Sequence, residues 1–157
     1  QQAYKTYLAT LFHLTGSDTA TATKDADIVY NIEKQIASSH KTNIELRDVN
    51  ANYNKMSLAQ LTKRQPNIGW PKVLNIMSAK TDYIAVGQPS YYDKLNADLK
   101  SIPINDWKIY LQVHSINTYA DVLSKPFVDA AFEFNKVLSG QAVQKSRRTI
   151  MANNVDN

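Results

Sequence analysis

The side chains best suited to metal-dependent chemistry are three histidines, His13, His40 and His114. A helical H-E-x-x-H motif places two histidines one turn apart on one face, with the glutamate beside them to activate water. No two of these histidines lie within one helical turn, and none begins an H-E-x-x-H sequence. We therefore predict that they hold no catalytic metal. We expect His114 to pack within a helix and the other two to lie near helix ends.

Other catalytic arrangements are also missing from the sequence. It has no cysteine, which excludes disulfides, thiol catalysis and cysteine-ligated zinc, and it has no G-x-S-x-G motif. Its 4 glycines are too few for a glycine-rich phosphate-binding loop. Asp25 and Asp27 are two residues apart and would point to different faces of a helix. The sequence predicts no catalytic residue and no metal ligand.

Size and composition are those of an ordinary globular domain. A chain of 157 residues can bury about 70% of its unfolded surface in one domain. The net charge of +4 is spread along the chain, which favours a solvated surface over a nucleic-acid site. No apolar run approaches the ~20 residues that a membrane span needs. Because the sequence opens with Gln1-Gln2 rather than methionine, we expect a processed product or a piece of a longer protein.

Residues 47–61 connect two parts of the chain that have helical periodicity. Asparagines recur in the first half of this stretch and favour turns, because their side chains bond nearby backbone. Ser57 followed by Gln60 then predicts a capping box at the start of a short helix. The stretch therefore predicts an ordered connection that leads into a capped helix.

Apolar side chains elsewhere recur every three or four residues, which predicts helices. The predicted inward-facing residues include Tyr7, Leu8, Leu11 and Phe12, then Ala22, Ala26, Val29 and Ile32, then Trp107, Tyr110, Leu111 and His114, and finally Phe127, Ala130, Phe134, Val137 and Leu138. Residues 83–86 are the one plausible strand. The prediction is an all-α fold, a single domain of seven or eight helices with at most one short strand.

Four ordered blocks of residues resemble the N-terminal, non-catalytic part of the neprilysin and endothelin-converting-enzyme family of zinc metallopeptidases. They are Arg47-Asp48 with Tyr53-Asn54-Lys55-Met56-Ser57-Leu58 and Leu61; Val86-Gly87-Gln88-Pro89 with Tyr91 and Leu95; Asp106-Trp107-Lys108 with Tyr110-Leu111 and His114; and Phe134 with Leu138-Ser139-Gly140-Gln141. Val49 departs from the pattern, because the family usually has proline there. Animal members are rich in disulfides, so this cysteine-free chain resembles a bacterial member.

The resemblance implies a two-lobed peptidase in which residues 1–157 form a helical lid. The other lobe, the catalytic domain of the same parent chain, would hold the zinc cofactor and the glutamate that activates water. The lid would enclose the active-site chamber and restrict substrates to short peptides. By the same resemblance we expect a periplasmic, secreted or other cell-envelope location and no hydrolysis by this segment alone. We also expect one wall that is unusually apolar or irregular, where the missing lobe docks.

Two further interpretations and one set of site residues remain open. Arg47, Asp48, Tyr53 and Asn54 are the candidate peptide contacts, although bracing a turn, packing and capping explain them more simply. A free-standing α-helical module that binds a protein or peptide is the alternative function. A nucleic-acid binder that uses the positive charge is a weaker one. A reading frame that continues into H-E-x-x-H would favour the lid.

Overall fold

The computed structural model describes residues 1–155, without the side chains of residues 150 and 153–155, and it confirms the predicted all-α class. The helices within this range are α1 (Gln2–Leu14), α2 (Thr19–Ala37), α3 (Val49–Asn52), α4 (Leu58–Arg64), α5 (Trp70–Ile76), α6 (Pro89–Ser101), α7 (Ile104–Tyr119), α8 (Lys125–Ser139) and α9 (Arg147–Val155). Two strands, β1 (Asn54–Ser57) and β2 (Tyr83–Val86), and two 3-10 helices, Glu45–Arg47 and Ala120–Val122, complete the elements.

The number of elements differs from the prediction in two respects. The described part of the chain has nine α-helices rather than seven or eight, because the four-residue α3 follows directly on Asp48, whose side chain caps it. It also has two strands where at most one was expected. Strand β2 was anticipated, but β1 lies in a stretch predicted to be turns. The two strands pair antiparallel, with Asn54 opposite Val86 and Ser57 opposite Tyr83.

The chain divides into two compact units, and the first comprises residues 1–32 together with those from Ile104 onward. Its core packs α1 against α8: the rings of Tyr7 and Phe134 stack nearly parallel, with centroids 4.9 Å apart. The Tyr7 hydroxyl donates a 2.6 Å hydrogen bond to Oδ1 of Asn117 in α7. Burial, with a smaller contribution from the charge of Asp121, raises the pKa of Tyr7 to about 12. Tyr7 therefore links three helices as a neutral donor.

Three expected core positions in the first unit are wrong. Leu111, predicted to face inward on α7, is 60% exposed, and Val113 is the buried residue of that helix. Val137 and Leu138 near the end of α8 are also exposed. Apolar residues occur all around α7, so that its sequence does not single out one face.

The second unit, Glu33–Pro103, has a separate small core beneath its two-stranded sheet. Leu61, Trp70 and Val86 are buried there, one each from α4, α5 and β2. The predicted capping box is confirmed: Ser57 Oγ accepts from the Gln60 N–H at 3.2 Å, and Gln60 Oε1 accepts from the Ser57 N–H at 2.7 Å. The sheet therefore leads directly into α4 through this cap.

Candidate functional surface in the second unit

The four candidate peptide contacts lie on one connection of the second unit. Arg47 ends the 3-10 helix, and Asp48 is the N-cap of α3. Tyr53 follows α3 with 63% of its surface exposed, and Asn54 is the first residue of β1. The structure thus places all four within one short ordered segment. Their role in peptide contact stays a prediction.

Two of these four side chains are engaged in holding the connection together. Oδ1 of Asp48 accepts a hydrogen bond from the Ala51 N–H at 2.9 Å. Nδ2 of Asn54 donates to the carbonyl oxygens of Val86 and Ala51, at 3.0 and 3.3 Å. Asp48 therefore acts as a cap, and Asn54 fastens the start of β1 to the end of β2. These contacts fit the simpler interpretation of the two residues.

A network of polar side chains fixes the middle of the connection. The backbone N–H and the hydroxyl of Thr42 each donate to Oε2 of Glu45 at 2.7 Å. These bonds, the hydroxyl's first, lower the pKa of the Glu45 carboxyl. Nδ2 of Asn52 donates to the carbonyl oxygens of Glu45 and Asp48, at 2.8 and 2.7 Å. Side-chain bonds to backbone thus supply much of the order in a segment that lacks a core of its own.

The connection is also tethered at its start. Nζ of Lys41 donates to Oδ1 of Asn52 at 2.7 Å. The Lys41 N–H donates to Oε1 of Gln88, just before α6, at 2.8 Å. Next to this tether, the ring of His40 lies 4.6 Å from that of Tyr91 in α6. Lys41 therefore holds the connection against the N-terminal end of α6.

Apolar side chains on this connection point into solvent. Ile44 is 78% exposed, Leu46 41% and Val49 77%. We call residues 44–49 the apolar connection segment. Sequence reasoning overlooked it, because its apolar residues follow neither a helical nor a strand period. The available signal was the occurrence of three large aliphatic residues in a stretch otherwise rich in turn-forming residues.

The histidines are not brought together. His13 lies in the last turn of α1, and its Nδ1 is 3.0 Å from the carbonyl oxygen of Ser17, just beyond that helix. His114 is half-buried on α7, with its ring 4.3 Å from that of Tyr110. Among the described residues, no three histidine, aspartate or glutamate side chains are grouped in a way that could hold a metal ion. Within the same residues, no helix has the length and apolar character to cross a bilayer.

This helical fold recurs in a zinc metalloprotease of known structure. The chain superposes on the zinc metalloprotease ZMP1 of Mycobacterium tuberculosis in its open state with a TM-score of 0.83, at 25% identity. The TM-score is 0.85 for the same protease in complex with an inhibitor, again at 25% identity. Each match covers 96% of this chain and 24% of the protease. The fold is therefore that of one part of a zinc metalloprotease.

The family follows from the sequence match. The model for the N-terminal part of peptidase family M13 matches residues 1–157, and the chain belongs to this family. Endothelin-converting enzyme-like 1 of Rattus norvegicus is 25% identical over 144 residues, which are 88% of this chain and 18% of that protein. Neutral endopeptidase of Lactobacillus helveticus is 27% identical over 109 residues, which are 69% of this chain and 17% of that protein. The resemblance inferred from the four blocks is confirmed. The chain spans less than a fifth of these relatives.

Proposed function

We propose that this chain is the helical lid of a neprilysin-like zinc metalloendopeptidase and that the longer parent protein hydrolyses peptide bonds. The lid encloses the active-site chamber and limits substrates to short peptides. The observation that carries the proposal is the match of the whole chain to the N-terminal family model, together with its coverage of only 24% of a zinc metalloprotease. Its partners are the catalytic part of the same parent chain and the peptide substrates.

Zinc, in this proposal, belongs to the part of the parent that lies outside this chain. His13 and His114 are engaged with a backbone carbonyl and a tyrosine ring, and no metal-capable group occurs in the part of the chain that the structure describes. The residues present do not fit a catalytic zinc site. The contribution of this chain is steric: its folded helices exclude bulky substrates and limit the access of water to the chamber.

Peptide contact is proposed for the side chains that the polar network leaves on the surface. Tyr53 is exposed, and Arg47 stands at the end of its 3-10 helix, so both can meet a peptide that passes along the connection. Asp48 and Asn54 would act on the peptide only indirectly, through the shape of the connection. We further propose that the parent works in the cell envelope, in the periplasm or outside the cell, as inferred from the family resemblance.

Size selection is the part of the proposal that is most open to experiment. The longer protein that contains this chain is given a short unstructured peptide and, separately, the same sequence fused into a folded domain. We expect cleavage of the free peptide and little cleavage of the fused copy, because the lid excludes the folded domain. Denaturing the fused domain should restore cleavage if access is what limits the rate. Equal cleavage of both substrates would contradict a lid that selects by size.

A free-standing binding module is the second candidate, and one observation favours it. A groove of about 500 Å³ lies between α1 and α8, with Tyr7, Ala130 and Phe134 among its mostly apolar lining. Grooves of this kind accept amphipathic helices. The encoding reading frame separates the two candidates: continuation into an H-E-x-x-H motif supports the lid, and a stop after Asn157 supports the module.

A further inference from the structure

The apolar connection segment has its polar and apolar groups arranged in the opposite way to an ordinary surface loop. Polar side chains of the connection are bonded to its own backbone: Asp48 caps α3, and Asn52 binds two carbonyl oxygens. The aliphatic side chains of Ile44 and Val49 project into solvent instead, each more than three-quarters exposed. Exposed aliphatic groups gain free energy when another apolar surface covers them.

The segment is also fixed in shape before anything covers it. Thr42 and Glu45 bond each other reciprocally, since the Glu45 N–H also donates to the Thr42 hydroxyl at 3.3 Å. Lys41 bonds both Asn52 and Gln88, which ties the segment to the rest of its unit. A surface that is already ordered loses little conformational entropy on binding. The arrangement is that of a preformed docking surface.

We propose that the apolar connection segment is the surface on which the remaining part of the same parent polypeptide packs. This inference rests on the proposed function and names the contact that the lid makes. We infer this packing partner from the length of the relatives. The chain covers only 24% of ZMP1 and 18% of endothelin-converting enzyme-like 1. Family members therefore carry several times as much polypeptide beyond the equivalent of this chain.

A folded apolar surface fits the exposed side chains of Ile44 and Val49 better than an extended peptide does. An extended peptide that adds to the edge of a sheet is bound through free polar groups that pair with its backbone. Here the side chains of Asp48 and Asn52 are already bonded within the connection. The aliphatic side chains of Ile44 and Val49 face outward beside these bonded groups, which suits a packed, water-excluding contact.

Thiol protection tests this contact directly, since the natural chain has no cysteine. Val49→Cys and, as a matched control, Ile76→Cys are each made in the isolated chain and in the longer protein that contains it. The control is an aliphatic residue of the same unit with nearly equal exposure, 73% against 77%. Alkylation is followed at the labelled peptide by mass spectrometry. We expect the rate at Val49→Cys to fall about tenfold or more in the longer protein and the rate at Ile76→Cys to change little.

Each other outcome overturns the inference. Equal rates for Val49→Cys in the two proteins would show that nothing covers the segment. Equal protection of the Ile76→Cys control would show a general effect of the longer chain. Protection of Val49→Cys that appears only after peptide is added would make Val49 a substrate contact rather than a contact with the rest of the parent. Peptide hydrolysis by the natural longer protein is measured separately. If that protein hydrolyses no peptide while Val49→Cys is still protected, the result contradicts the proposed function alone.

Discussion

Gln65 is a buried polar side chain whose amide joins three elements of the second unit. It is fully inaccessible to solvent and follows α4 directly. Its Nε2 donates to Oδ1 of Asp93 in α6 at 2.8 Å, and its Oε1 accepts from the indole N–H of Trp70 in α5 at 3.1 Å. A buried donor or acceptor that loses its partner is costly, so this one amide fixes how the three helices meet.

Replacing Gln65 by leucine should destabilise the fold by about 2 kcal/mol, because the indole N–H of Trp70 loses its acceptor inside the core. Unfolding by urea, followed by the fluorescence of tryptophan, measures the loss. Gln35→Leu is the matched control at an exposed helical position and should change stability by no more than about 0.5 kcal/mol. Equal stabilities of the two variants would contradict the structural role of Gln65.

Asp93 gives the same unit a dependence on pH. The guanidinium of Arg64 donates to both of its carboxylate oxygens, at 2.8 and 2.6 Å, and these bonds lower the pKa of Asp93. A carboxyl whose pKa is lower in the folded state stabilises the fold above its ordinary pKa of about 3.9. That stabilisation disappears as the pH falls through the lowered value.

The stability gap between the natural chain and Asp93→Asn should therefore be largest at neutral pH and should shrink as the solution is acidified below about pH 4. Urea midpoints measured across the acid range test this. In an Arg64→Gln background the pH dependence of the gap should weaken, because the bond from Arg64 is the main cause of the lowered pKa. A gap that is the same at every pH would show that the ion pair contributes nothing to the fold.

Single residues also show where periodicity loses its power to predict. Tyr7, Leu8, Leu11 and Phe12 were assigned to the core correctly, because α1 has one apolar stripe. Leu111 was assigned wrongly, because α7 carries apolar residues on all sides and the neighbouring elements decide which face is covered. Periodicity also shows which face of a helix is apolar, but it does not show how far along the helix that face stays covered. Val137 and Leu138, near the end of α8, were therefore expected to be buried.

At the scale of elements, the junction between β1 and α4 carries the clearest local signal in the chain. Ser57 ends the strand and caps the helix, and Gln60 completes the reciprocal pair. Both residues could be identified from the sequence because a capping box depends only on residues that lie three apart. Pro66, shortly after the last helical residue, likewise marks the end of α4.

Ser57→Ala should cost about 1 kcal/mol of folding free energy, since the N–H of Gln60 loses its acceptor. Thermal unfolding followed by circular dichroism provides the measurement. Thr62→Ala, an exposed substitution within the same helix, is the control and should leave stability unchanged or raise it slightly, because alanine favours helix. The cap would have no energetic role if the two substitutions had the same effect.

Strand β1 could not be predicted from its own residues. Asn-Lys-Met-Ser has a weak preference for extended backbone, and the asparagines around it favour turns. The strand forms because β2, far along the chain, offers a partner and because Met56 packs against the small core of the second unit. Long-range pairing of this kind is absent from any local pattern. The polar network of the connection is hidden in the same way, since it depends on bonds from Asn52, Asn54 and Lys41 to distant or non-periodic positions.

At the scale of the whole molecule, the family could be inferred from sequence and the surfaces could not. Four ordered blocks identified the N-terminal part of the zinc metallopeptidases, and the match over residues 1–157 confirms that inference. The outward-facing aliphatic residues at Ile44 and Val49 required the structure, because exposure depends on what packs nearby. An apolar docking wall was expected, and these residues are the part of the surface to which we assign it.

The central claim is that this chain shapes an entrance and holds no catalytic zinc. The most direct measurement incubates the purified chain with zinc and an unstructured peptide and analyses the peptide by mass spectrometry, with the longer parent protein in parallel. We predict an intact peptide with the chain alone and cleavage by the parent that a metal chelator abolishes. Zinc-dependent cleavage by the 157-residue chain itself would contradict the account.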